Sequence, residues 1–201
     1  LELNNALARH GYWFAPDPAS HKASTIGGNA AENAGGPHCL KYGVTSNHVL
    51  GLEVVMPTGQ VVRMGGKALD APGYDLTGLM VGSEGTLGII TKVVVRIGPR
   101  PCAIRTLLAV FERMEDAAQA VSAIIASGIL PSSLEMMDRF IILAVEDYFH
   151  VGYPQDAGAV LIIELDGLEE GLDRQVRWVS DICLERAARE VRSAQSEEER
   201  Q

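Results

Sequence analysis

The chain is short of positive charge and cysteine, and each scarcity excludes something. Lys and Arg number 17 against 26 Asp and Glu, a formal net charge of −9. Such an acidic protein opposes non-specific contact with nucleic acid or an anionic membrane, so neither is expected as a partner. Cys39, Cys102 and Cys183 are odd in number, far apart and outside any CxxC spacing, which argues against a disulfide framework or a thiolate metal site. All three read as small apolar packing residues. No apolar run approaches the ~20 residues of a membrane-spanning helix, so no direct insertion into a membrane is expected, and the cytoplasm is the expected location.

Other chemistries fail on spacing. His10, His21, His38, His48 and His150 make no HxH or HxxxH pair, and no metal site is expected. No G-x-S-x-G elbow presents a nucleophilic serine. Gly66–Lys67 is not a P-loop, because Val61 stands where the earlier glycine is needed and Ala68 where a hydroxyl is needed.

Glycine is plentiful, at 21 residues, and is concentrated in TIGGNAAENAGG (Thr25 to Gly36) and VGSEGTLGII (Val81 to Ile90). A backbone without Cβ reaches positive φ and presses its N–H groups against a ligand, which suits an anion that side chains do not neutralise. Gly82, Gly85 and Gly88 are spaced G-x-x-G-x-x-G but follow no Rossmann strand, so this is not the dinucleotide fingerprint. Glu84 is suited either to accept from a ribose or amide donor or to cap a loop N–H. Thr25 and Ser83 are either ligand hydroxyls or caps.

The hydrophobic content of 47% supplies a core for one large domain or two small ones. Leu1 to Gly11 reads as a helix. The prolines between Trp13 and Pro18 give an extended loop. Asn29, Glu32 and the glycines at 35 and 36 suggest the cap, capping-box partner and stop of a short helix. A hairpin is expected around Pro57–Thr58–Gly59, a short helix capped by Asp75, and a strand from Ile89 to Ile97. Beyond the boundary at Pro99 and Pro101 the pattern is strand, helix, strand, helix, strand, helix, ending in a charged helical run through ERAAREVRSAQSEEERQ.

Taken in order, APDPAS (Ala15 to Ser20), TIGGNAAENAGG, PHCLKYGVTSNHVLGLEVVMPTGQVV and VGSEGTLGII resemble the second half of the FAD-binding domain of the FAD-linked oxidase family, of PCMH type. Within that family the glycolate oxidase D-subunit and D-lactate dehydrogenase group is the most similar. The resemblance implies an α+β fold: residues 1–100 as the second FAD subdomain, and residues 101–201 as the start of an α+β, ferredoxin-like cap domain. It implies FAD as cofactor, with Pro16, Asp17, Thr25, Ile26, Gly27, Gly28, Asn29, Asn33, Gly35, Gly36, Gly82, Glu84, Gly85, Thr86, Leu87, Gly88 and Ile90 as cofactor positions. It also implies a small 2-hydroxy acid as substrate, and electron-accepting partner subunits that could hold the protein at the periphery of the inner membrane. The family's late histidine-rich segment has no match here, so no catalytic residue is carried over. Both ends read as cut, and the isolated chain is expected to have little turnover. The alternatives are a transferase of the alkyl-dihydroxyacetone-phosphate synthase kind and a non-catalytic fragment whose glycine loops only shape the fold.

Overall fold

The computed structural model describes residues 1–67 and 73–194, which fall into two compact units, Leu1–Arg100 and Pro101–Gln201. In the first unit, α1 (Glu2–Ala8) and β1 (Tyr12–Trp13) lead into the proline-bearing loop. Then come α2 (Ile26–Glu32), α3 (Cys39–Tyr42) and a 3-10 turn (Thr45–His48). The remainder is β2 (Val49–Val55), β3 (Val61–Gly65), α4 (Leu76–Met80), β4 (Ile89–Val95) and β5 (Gly98–Pro99).

The main sheet is antiparallel in the order β3-β2-β4, and the hairpin closes with Val55 opposite Val61. Alternation turns Leu52 and Val54 of β2 inward, and a register shift between Val49 and Gly51 brings Val49 to the same side, so all three pack with Ala30 of α2 and Met80 of α4. On the other side Glu53 of the central strand bonds Arg63 of β3 and Lys92 of β4, drawing both neighbours onto one carboxylate. Those two cations hold the Glu53 carboxyl below its ordinary range.

The second unit contains β6 (Ala103–Phe111), α5 (Met114–Ala126), β7 (Ser133–Asp138), α6 (Arg139–Phe149), β8 (Ala159–Gly167), α7 (Glu169–Glu185) and β9 (Ala188–Ser193). Its antiparallel sheet runs β7-β8-β6-β9, the ferredoxin-like β-α-β-β-α-β arrangement with α6 added between β7 and β8. Period two again explains the packing. Leu107, Ala109 and Phe111 of β6 and Leu161, Ile163 and Leu165 of β8 face α5 and α7, while Val110 and Val160 face Ile142 of α6. Each such fully buried large side chain contributes roughly 1.5–3 kcal/mol. Asp138 starts α6 by accepting from the Ile141 amide at 2.9 Å. Gly171, at φ 99°, kinks α7 in its first turn.

Four details depart from the expectations above. The glycine-rich helix starts at Thr25, not Asn29, because the Thr25 hydroxyl caps it, and it stops at Asn33 (φ 51°) rather than at a glycine. The two-residue pairing of β1 with β5 interrupts the extended loop. The charged run after Glu185 is not helical throughout: Ala187 turns through φ 65°, and Ala188–Ser193 joins the sheet beside β6. Arg189 anchors that strand to Glu112 and Asp156. The acidic tail, residues 195–201, lies outside the described residues. Finally, Cys183 is buried, but Cys102 is exposed and Cys39 is partly buried, so apolar packing describes only the first. Among the described residues, no helix is long and apolar enough to cross a membrane.

Candidate cofactor groove

A groove of about 800 Å³ runs over the first unit, within the range of roughly 300–1,000 Å³ typical of small-molecule sites. One wall is the proline-bearing loop, whose Phe14 is held at both backbone polar groups by Asn4 of α1: its N–H donates to Oδ1 at 2.7 Å and its carbonyl accepts from Nδ2 at 3.0 Å. Pro16 and Asp17 continue that wall. The opposite wall is the start of α2, with Ser24, Thr25, Ile26 and Asn29.

The local chemistry of α2 follows from its sequence. Thr25 is extended and its Oγ1 accepts from the Gly28 amide at 3.0 Å, leaving its own O–H free to donate elsewhere. The Ile26 and Gly27 amides are in the first turn, where a helix offers them no internal acceptor. Gly27 has a different role, since a Cβ there would lie a tight 3.0 Å from the Ile90 carbonyl oxygen of β4.

Five of the expected cofactor positions line this groove: Pro16, Asp17, Thr25, Ile26 and Asn29. Gly27 and Gly28 sit in the adjoining helical turn. The loop after Gly82 starts instead at the far end of α2, where the Gly82 and Glu84 amides donate to the Ala30 and Ala31 carbonyls, both at 2.9 Å. Glu84 (φ 51°) and Gly85 (φ 76°) form a left-handed turn closed by the Thr86 hydroxyl on the Ser83 carbonyl at 2.6 Å. Leu87 is partly exposed, and Gly88 is packed where a Cβ would meet the Val55 carbonyl at 2.8 Å. Asn33 ends α2 and accepts from the Ser46 amide at 2.8 Å, while Gly35 and Gly36 pack on Cys39 and Asp17. The first glycine segment therefore contains α2 itself, and the second packs along it, from Ile90 beside Gly27 to Gly82 and Glu84 on Ala30 and Ala31.

Sequence reasoning passed over HKAS, between the two motifs. Lys22 lines the groove and brings a cation to it, and the buried Ser24 hydroxyl has no protein partner. The only sequence signal was position: a lysine and a hydroxyl between a proline loop and a glycine-rich helix. Asp17 Oδ1 is likewise buried and unpartnered, while Oδ2 bonds His38 Nδ1 at 2.5 Å. A buried polar atom without a partner costs free energy that a ligand can return.

The arrangement offers main-chain donors and a lysine for an anion, a free acceptor and hydroxyl for hydrogen-bonding groups, and Phe14 and Ile26 for an apolar ring system. These features fit a flavin adenine dinucleotide. Among the described residues there is no cluster of three or more metal-ligating side chains.

Known proteins agree with this chemistry. The profile of the family described as FAD binding domain matches residues 1–65, and that described as FAD linked oxidases, C-terminal domain, matches residues 100–201. The chain belongs to the FAD-linked oxidases, and its cofactor is FAD. It is 50% identical over 200 residues to the glycolate oxidase subunit GlcD of Escherichia coli (strain K12), covering 100% of this chain and 40% of that protein. Against glycolate oxidase subunit GlcD of Bacillus subtilis (strain 168) the identity is also 50% over 200 residues, 99% of this chain and 43% of the relative. A D-lactate dehydrogenase of Anaerostipes hadrus is 35% identical over 198 residues, 94% of this chain and 42% of the relative. Among solved structures, an alkyldihydroxyacetonephosphate synthase superposes with a TM-score of 0.78 at 26% identity, covering 98% of this chain and 38% of that one. The chain thus spans about 40% of the length of the curated relatives it matches.

Proposed function

We propose that this chain belongs to an enzyme that oxidises a D-2-hydroxy acid, glycolate or D-lactate, to the 2-oxo acid. Residues 1–100 supply the second half of its FAD-binding domain, and residues 101–201 the beginning of its substrate-side domain. Identity of 50% along the whole chain to proteins named as glycolate oxidase subunits carries the reading.

FAD, when bound, would supply the redox chemistry, as acceptor of a hydride equivalent. The chain's own residues bind and orient. The Ile26 and Gly27 amides and Lys22 offer positive potential to the pyrophosphate. Asp17 Oδ1 accepts from a ligand hydroxyl or ring N–H, and Ser24 donates. The residues at 82–90 hold the end of α2 in place and contact the cofactor beyond it. The base that takes the hydroxyl proton is assigned to no residue of this chain. The reading extends to electron-accepting partner subunits, in keeping with the word subunit in the relatives' names, and to a cytoplasmic protein held at the inner membrane through those partners.

The test is a visible absorption spectrum of the purified chain, mixed with excess FAD and desalted. A retained flavin band is the expected result, and its absence from both this chain and a full-length version would overturn the reading. A second reading, an alkyldihydroxyacetonephosphate synthase-like transferase, draws on the structural likeness. A screen of 2-hydroxy acids with a dye acceptor, run on the full-length protein, separates the two: turnover with glycolate or D-lactate supports the oxidase.

A further inference from the structure

We infer that Asn4 is a positioning residue for the cofactor groove: its carboxamide joins α1 to the proline-bearing loop and so holds the two as one wall. The inference rests on the FAD reading above. A carboxamide presents an acceptor and a donor side by side, as a main-chain peptide does. Here that pair meets both polar groups of Phe14, whose N–H donates to Oδ1 at 2.7 Å and whose carbonyl accepts from Nδ2 at 3.0 Å. Asn4 thereby continues the hold on the chain at the residue where β1, which ends at Trp13, stops pairing with β5.

Neither party to this joint is well fixed without it. α1 buries none of its residues, so no core packing seats it on the unit. In the loop, Pro16 and Pro18 have no N–H to bond. Burial of the Phe14 ring, 4% exposed and edge-on to His48, keeps that residue in place but does not hold α1 beside it. Both parties line the groove, with Glu2 and Leu3 on one side of the joint and Pro16 and Asp17 on the other. When the joint opens the wall is lost, and the apparent affinity for a ligand falls with the fraction of chains whose wall is formed. Two hydrogen bonds of ordinary net worth change that fraction on the order of tenfold.

The experiment compares wild type, Asn4→Ala, Asn4→Asp and Asn4→Gln in the 201-residue chain, each with Trp178→Phe so that Trp13 alone reports. Two quantities are read: FAD affinity, by titration followed through flavin fluorescence, and quenching of Trp13 by acrylamide in the ligand-free chain. Asn4→Ala is expected to weaken FAD binding on the order of tenfold and to make Trp13, next to the joint, easier to quench. Asn4→Asp should lose as much, because it turns a carboxylate oxygen towards the Phe14 carbonyl where the amide N–H stood. Asn4→Gln keeps the donor and the acceptor, and α1 is free to shift by one methylene, so both readings should return most of the way to wild type. A residue that only touched FAD would lower affinity and leave the ligand-free Trp13 signal unchanged. A residue that only stabilised the unit would lower its melting midpoint and leave affinity, measured below that midpoint, unchanged. Either result, or Asn4→Gln no better than Asn4→Ala, would overturn the inference and leave the FAD reading standing. Should Asn4→Ala unfold below the assay temperature, the contrast between Asn4→Asp and Asn4→Gln decides in its place. A wild-type chain that takes up no FAD would overturn the inference, and the spectrum of the full-length protein then decides the FAD reading separately.

Discussion

Replacing Gly36 by Ala measures how much the groove wall depends on the close approach of two loops. Gly36 does not have a left-handed backbone, so alanine can adopt its conformation and the penalty is steric. The added methyl carbon would stand 2.4 Å from the Asp17 carbonyl oxygen, a main-chain atom that cannot rotate away. Forcing a methyl group into a packed site costs about 1–3 kcal/mol. Against this, stiffening the unfolded chain returns about 0.4–1 kcal/mol. The net expectation is a loss of about 1–2 kcal/mol, or about 4–15 °C in the melting temperature of a unit of this size. The chain has two tryptophans, Trp13 in the first unit and Trp178, half exposed, in the second. Trp13 sits edge-on to Tyr42 at 5.1 Å between ring centroids and so reports the packing of its own unit. In a Trp178→Phe background, thermal unfolding followed by Trp13 fluorescence isolates that transition. An unchanged midpoint in Gly36→Ala would show that the Asp17 wall yields freely, and the steric argument would fail.

Three further outcomes follow from the structure. Thr25→Ala removes the cap of α2 and is expected to cost about 1 kcal/mol in the same fluorescence assay; Thr25→Ser, which keeps the oxygen, should recover most of it. Burial pushes the Cys183 thiol up to about 11 from an ordinary 9.0, so Cys102 should react first with a thiol reagent and Cys183 only as the second unit opens. Because the unfolded chain releases that proton above about pH 9 while the folded one retains it, Cys183→Ala should flatten the loss of stability between about pH 9 and 11. The Glu53 carboxyl is depressed below 4.5 by Lys92 and Arg63, so its contribution is present above that pH and is lost as pH falls through the folded-state value. Glu53→Gln should remove that share of the acid sensitivity in urea denaturation at pH 3 to 6.

Where the sequence was legible, a single periodicity or cap decided the outcome. The β-branched run after Gly88 became β4, and Asp75 capped α4 by accepting from the Gly78 amide. The failures came where tertiary contact outweighed local preference. Glycines at 27 and 28 argue against a helix, but the close approach of β4 favours a residue without Cβ at 27 and Thr25 supplies the cap, so the helix forms around them. The segment Ala188–Ser193 looks helical by charge and alanine content, yet the vacant edge of β6 takes it as a strand. The groove itself was half legible. The glycine and proline motifs marked its walls, whereas Lys22, Ser24 and the Asp17–His38 pair depend on which loops the fold brings side by side.

The short pairing of β1 with β5 has a mechanical consequence. Tyr12 and Trp13 lie opposite Pro99 and Gly98, and the Arg100 amide donates to the Gly11 carbonyl at 3.0 Å. Everything from Tyr12 to Pro99 is therefore a loop drawn shut at its neck. A force applied at Gly11 and Arg100 pulls both strands from the same end, so their few bonds break in succession instead of sharing the load. The neck should open before β2, β3 and β4 bear tension. Stretched from these two points, the first unit would behave as a drawstring purse whose string gives way before its contents spill.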